Sequence, residues 1–406
     1  MKENWNKISL AFLFIVAIIG TLLRSPYVST LPLEYTNLVH AHSHTAFQGW
    51  IYTIIFLILT STFIGKDKIE KGHYRLQFKL TVLIVLGVLI SFTLQGYGLY
   101  SIVFSTLFQV LNYWFIYRFL KDSCTAKPNS ANYIVLRFIK AGLWLGVLST
   151  IMPFGIGFLS ANGQSGTELY HAFVYTFMHL QYNGWFLFVA LGLFYKLLER
   201  NNIDFSSIQA NRFFWFFTVS IIPAITLSLL GMSFSKYLML PAYFSVFLQL
   251  LGLFFFLLSL PRKTASLLRY KSEWLRLYLL VFLASIFLKN ILQILSVFTT
   301  FQAYAFNNKL IILAYLHLTL IGVISFLFFA LMIDMKWIVV DAFVKLGNSL
   351  LFLGFATTEL ILTLGGLGLY YSHQILLTGS ISMTLGILIL VISRKNRIAH
   401  NSYIQL

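Results

Sequence analysis

Three segments of the chain carry histidine in matching contexts: His44-Thr-Ala-Phe-Gln-Gly-Trp50, His179-Leu-Gln-Tyr-Asn-Gly-Trp185 and His317-Leu-Thr-Leu-Ile-Gly322. The histidines are 135 and 138 residues apart in a chain of 406, and each is followed five residues later by glycine. Neutral imidazole is the commonest side-chain ligand for transition metals and for haem iron. A single histidine in an apolar segment more often makes a hydrogen bond across a helix interface. Three in register point to a bound metal or haem, because ionisable groups in hydrocarbon are costly and mark function. The glycine after each one is expected to let a neighbouring helix or a flat cofactor approach the backbone.

The first copy is denser, reading His40-Ala-His42-Ser-His44. On a helix, His40 and His44 share a face and His42 points away. That pair suits chelation of one metal ion. Alternatively, His44 binds haem while His40 meets a propionate or water, or the cluster simply faces the aqueous interface. A weaker echo pairs Ser105/Gln109 with Ser245/Gln249. Lys289 and Glu359 are charged residues within apolar runs, where they would form an ion pair or a proton path. Glu34 and Glu168 precede His44 and His179 by ten and eleven residues and read as solvated loop charges or as proton-exit or metal-entry groups. His73 and His400 fall in polar connections, and His171 and His373 at the starts of apolar runs.

These residues must be positioned by membrane helices. The chain is 59% hydrophobic and 10% charged, where soluble domains carry roughly 25% charged residues. Apolar runs of about 20 residues, the length that spans a bilayer as a helix, are predicted near 8–24, 43–64, 77–96, 99–119, 135–158, 171–195, 212–232, 237–260, 274–297, 310–333, 348–370 and 373–393. The fold class is therefore all-α: a single polytopic membrane domain, 1–406, of about twelve transmembrane helices. The histidine repeat divides it into four-helix units at approximately 1–132, 133–270 and 271–406, in a pseudo-threefold arrangement with His44, His179 and His317 on helices two, six and ten. The histidines are expected in one layer in the outer half of the membrane.

The net charge of +17 follows the positive-inside rule. With the amino terminus inside, all but four of the 29 Lys and Arg fall in inner segments or helix ends. Arg24, Lys236 and Lys309 lie outside, and Lys289 lies within a helix. The expectation is a multi-pass protein of the cytoplasmic membrane with both termini cytoplasmic, in contact with the bilayer and not with nucleic acid. The first run reaches Arg24 without a small-residue cleavage site and reads as helix one. With Cys124 the only cysteine, an intrachain disulfide or a thiolate-only metal cluster is excluded.

Twelve helices, a threefold repeat, and histidines on helices two, six and ten toward the outer side resemble subunit I of the haem–copper oxidase superfamily. That superfamily includes the nitric oxide reductases, and the twelve-helix nitric-oxide-response proteins of the NnrS type look similar. The resemblance implies that His44 (or His42) and His317 ligate a low-spin haem b, and that His179 is a copper ligand. The chain departs from the family on helix seven, which lacks the paired histidines that complete the copper site. Tyr315 stands where helix ten carries its other histidine, and Asn183 where helix six carries the cross-linked tyrosine. The resemblance thus implies haem, copper or both, in electron transfer or in response to nitric oxide or oxygen, together with a redox partner or further membrane subunits. A divergent oxidoreductase fits, whereas full oxygen reduction does not. The alternative is a secondary transporter or metal permease using the same histidines, marked by helices broken near the midplane; a structural subunit of a larger complex is a third reading.

Overall fold

The computed structural model describes residues 5–123, 131–260 and 272–393. Cys124, His400 and most of the basic residues at 262–276 and 394–397 lie outside these. The described chain is helical and contains no strand. Eleven helices are long and apolar enough to cross a membrane. In chain order they are α1 (Trp5–Leu23), α2 (Tyr35–Phe63), α3 (Tyr74–Gln95), α4 (Leu99–Asp122), α5 (Ala131–Ala161), α7 (Ser207–Ser228), α8 (Ser235–Ser259), α9 (Glu273–Leu295), α10 (Lys309–Asp334), α11 (Ala342–Gly366) and α12 (His373–Ile392). The remaining one, α6 (168–200), runs through consecutive helical segments of 12, 7 and 14 residues. It is long enough to cross, but His179, Gln181 and Asn183 make it less apolar than the others. The protein is an all-α, multi-pass membrane protein.

The helix limits follow from local chemistry. Thr167, Ser206, Ser272, Asp341 and Ser372 each accept an N–H from the first turn of the helix they precede, and Asn308 accepts two, satisfying donors that a helix start leaves open. Pro153 cannot donate to Ser149, and α5 breaks there into Ala131–Ser149 and Ile151–Ala161. Pro223 precedes a tightening of α7 into a 3₁₀ turn, Ile225–Ser228. Helix α2 starts eight residues earlier than its apolar run. Its first ten residues, Tyr35–His44, include three histidines and an asparagine, so hydropathy misses them although nothing in them breaks a helix.

By contacts the chain divides into two compact units, Met1–Cys124 with Met332–Leu406, and Thr125–Leu331. In the first unit α1 is tied to α12: Lys7 donates to the Val391 carbonyl (2.9 Å), Thr21 and Thr384 share a hydrogen bond (2.8 Å), and Arg24 donates to Ser380 (2.6 Å). Helices α11 and α12 touch backbone to backbone where Gly354 faces the Gly379 carbonyl, because a Cβ at Gly354 would lie 2.5 Å from that oxygen. Tyr52, Phe56 and Phe115 pack as an aromatic core. In the second unit Phe138, Phe213, Phe256 and Tyr195 do the same.

Burial separates the helices into two classes. The apolar windows of α2 and α10 are 67% and 72% buried, against 33–44% for the other nine. In α6 every residue from His179 to Tyr195 is buried. The three histidine helices are therefore the more buried ones, while helices such as α4 and α8 present Leu107, Val110, Phe254 and Leu257 outward, as apolar surface in contact with lipid does.

Candidate functional site

Each of the three repeated histidines stands immediately before a π-helical segment: Thr45–Ile51 after His44, Leu180–Phe186 after His179 and Leu318–Ser325 after His317. A π turn inserts an extra residue and shifts the i→i−4 ladder, and such segments occur frequently at functional sites. The histidines lie nine, eleven and eight residues beyond the first residues of their helices. At 1.5 Å per residue that is roughly 14, 17 and 12 Å along each axis. The glycines five residues on are met by neighbouring helices: a Cβ at Gly49 would lie 3.0 Å from Phe12 of α1, and one at Gly184 would lie 3.2 Å from Leu145 of α5. At these two positions the close approach is made by another helix.

In the first unit the three helix-two histidines divide as their spacing requires. His40 and His44 both face Phe92, at the end of α3, and Tyr97, in the turn before α4. His44 stacks on Phe92 (centroids 4.1 Å apart, planes 14° apart), and its Nε2 is 3.0 Å from the Tyr97 hydroxyl. His40 meets the Tyr97 ring edge-on at 4.6 Å. The turn that carries Tyr97 needs glycine at 96, where φ is +59° and a Cβ would collide with Asn37 Oδ1.

His42 points the other way, onto α1. Its Nδ1 is 3.0 Å from the Val16 carbonyl, so Nδ1 carries the proton and donates. One turn further along α1, Gly20 gives the ring its place: a Cβ there would lie 2.9 Å from His42 Cε1. Among the described residues Nε2 of His42 has no hydrogen-bond partner. An imidazole with Nδ1–H bonded to a backbone carbonyl and Nε2 open has the tautomer and fixed orientation of a metal or haem ligand.

In the second unit His179 is wholly buried, and protein groups engage both ring nitrogens. Nε2–H donates to the Ile221 carbonyl at 3.1 Å, and Nδ1 accepts from Asn183 Nδ2 at 3.2 Å. The Ile221 carbonyl is available because the N–H of Ile225, at the end of the α-helical part of α7, bonds instead to Ile222 and Pro223. Coordination of a metal by either nitrogen of His179 would replace one of these bonds. The Tyr315 phenol lies beside Asn183 and Thr319, and its ring is 6.4 Å from that of Tyr182. The π segments of α6 and α10 thus touch. His317 is half-buried at the start of the second of them.

The charged residues of the apolar runs find other partners than each other. Lys289, buried on α9, donates to Gln293 (3.1 Å) and lies close enough to His179 to act on it electrostatically. Glu359 acts in the same way on Arg24. Outside the spans, Glu168 accepts from both the hydroxyl and the backbone N–H of Ser233. These two bonds hold its carboxyl below the usual glutamate range. Glu34 lines an open depression of about 520 Å³ with Tyr35, Asn37 and Thr93. His171 and His373 are exposed near helix starts.

Tyr97, Val16 and Gly20 are the residues that sequence reading missed. Tyr97 sits in a Gly-Tyr-Gly turn, whose flanking glycines are its one visible signal, while Val16 and Gly20 look like any helix interior. Among the described residues no cluster of three or more His, Cys, Asp or Glu side chains is placed to hold a metal ion. No family model and no curated protein sequence matches the chain.

Proposed function

We propose that the protein is a haem-binding redox protein of the membrane, with His42 the axial ligand supplied by α2. The observation that carries this reading is the His42 ring itself: Nδ1–H is bonded to the Val16 carbonyl at 3.0 Å while Nε2 is left for iron. The carbonyl holds the tautomer and raises the basicity of the opposite nitrogen. Gly20 leaves room for the ring, and Arg24 lies close enough to act on it electrostatically. His44 and His317 are the other candidate axial ligands. Bound haem b supplies a one-electron Fe(III)/Fe(II) couple, and two neutral imidazoles would make it six-coordinate and low-spin.

The role is electron transfer, or response to nitric oxide or oxygen, in the cytoplasmic membrane with both termini inside, alongside a redox partner or further subunits. The three histidine–π junctions on the most buried helices support a buried cofactor, since such irregularities recur at functional sites. A proton- or metal-coupled secondary transporter is the competing reading. It is favoured by Lys289, a buried amine hydrogen-bonded to the neutral amide of Gln293, as suits a group that exchanges a proton.

The deciding experiment is the absorption spectrum of the pure protein, oxidised and dithionite-reduced, after expression with adequate haem supply. A low-spin Soret band lost in His42→Ala is the expected result. Pure protein with no Soret absorption would put the transporter first.

A further inference from the structure

We propose that His40, His44 and Tyr97 form a separate site, for copper(II), at the N-terminal end of α2. With His42 as the haem ligand of α2, His40, His44 and Tyr97 are left to form a site of their own, which does not depend on haem at His42. Two imidazoles four residues apart on one helix face both meet one phenol, carried by a different element. His44 Nε2 lies 3.0 Å from the Tyr97 oxygen. The His40 ring packs edge-on against the Tyr97 ring at 4.6 Å. The two histidines are close enough to act on each other electrostatically. The Gly96 turn, wedged by Asn37, holds the phenol in this position. Tyr97 is 59% exposed in the turn between the spans α3 and α4, outside both, so an ion from the aqueous side reaches the site without crossing hydrocarbon.

The chemistry selects the ion. With metal–ligand bonds of about 2.0 Å, donors 3.0 Å apart subtend about 97° at a shared ion. That angle is nearer the right angle of a tetragonal centre than the tetrahedral angle of zinc. Nitrogen and oxygen donors in tetragonal geometry are those of copper(II), which also binds most tightly among first-row divalent ions. The ion takes the place of the proton shared between the Tyr97 oxygen and His44 Nε2. The phenolic O–H breaks, its proton leaves to solvent, and a copper–phenolate bond forms. Copper stays in the +2 state, and one proton is released per ion bound. A water completes four-coordination.

The test is titration of untagged, full-length protein in detergent with copper(II), and separately with zinc(II), followed by visible absorption, electron paramagnetic resonance and proton release. One copper per chain is expected, with a phenolate-to-copper charge-transfer band, a tetragonal signal split by nitrogen, and one proton released. Tyr97→Phe should abolish the band and the proton release. It should also weaken binding by at least the roughly 10–100-fold that loss of a supporting contact costs. His40→Gln and His44→Gln should weaken it similarly, and His171→Ala should not. Melting curves of each variant show whether the fold survives. Should Tyr97→Phe prove unfolded, nitration of Tyr97 with tetranitromethane, blocked by copper in the unaltered protein, gives the same answer. No stoichiometric copper, or full binding and an unchanged spectrum in folded Tyr97→Phe, would overturn the proposal.

Discussion

The imidazole of His179 donates from Nε2 to the backbone carbonyl of Ile221 at 3.1 Å, so a residue of α6 completes the hydrogen bonding of α7 where that helix tightens beyond Pro223. Asn183 occupies the other nitrogen. His179→Ala should therefore lower stability by roughly 2–5 kcal/mol, through the cavity and through a buried carbonyl and amide left unpaired. Thermal or denaturant unfolding in detergent measures this. An unchanged melting temperature with loss of a bound metal would instead make His179 a ligand.

Gly20 gives a second handle on His42. A methyl group at position 20 would lie 2.9 Å from His42 Cε1, closer than packed carbons come. Gly20→Ala should displace the ring and reduce haem occupancy or shift the low-spin spectrum, while Gly157→Ala, where a Cβ meets nothing within 4 Å, should not. Equal spectra for both variants would separate haem from His42.

The Glu168–Ser233 link makes a pH prediction. Its folded carboxyl titrates below the usual glutamate value because the Ser233 hydroxyl and N–H favour the charged form. The link therefore contributes stability above the ordinary glutamate pKa and loses it as pH falls through the lowered value. Ser233→Ala should narrow the difference in melting temperature between neutral and acid pH. The carboxylate is solvent-exposed, so the change should be small. A larger acid sensitivity in the variant would contradict the assignment.

Asn112 is wholly buried on α4, and among the described residues neither its Oδ1 nor its Nδ2 has a hydrogen-bond partner. An orphaned buried polar group costs about 1–3 kcal/mol, so Asn112→Leu should leave the melting temperature unchanged or raise it. A marked fall would reveal a partner for this amide in the working protein.

Topology is testable by reporter fusions. The basic segments at 66–79 and 118–140 and the carboxyl terminus should report as cytoplasmic, by the positive-inside distribution of Lys and Arg. A carboxyl-terminal reporter active only on the other side would be incompatible with twelve crossings.

Membrane helices are legible in sequence because each one satisfies its own backbone within a single apolar run. All twelve predicted runs coincide with helices, and α6 departs from the apolar pattern where His179, Gln181 and Asn183 lower its hydropathy. The shared face of His40 and His44, opposite His42, follows from helical periodicity alone and appears in the contacts. What the tertiary structure decided is which nitrogen of each ring is engaged, and by what. His42 faces the Val16 carbonyl because α1 packs there, and His179 takes the Ile221 carbonyl because α7 tightens beside it. Lys289 pairs with Gln293, and Glu359 acts on Arg24. No pattern along the chain encodes these pairings. Lipid-facing and buried helices are alike in being largely apolar, so hydropathy does not say which neighbour a given side chain meets, and a carbonyl offers a partner through its position rather than its residue type. The burial of α2, α6 and α10, and with it the different engagement of the ring nitrogens of His42 and His179, exists only once the helices are packed.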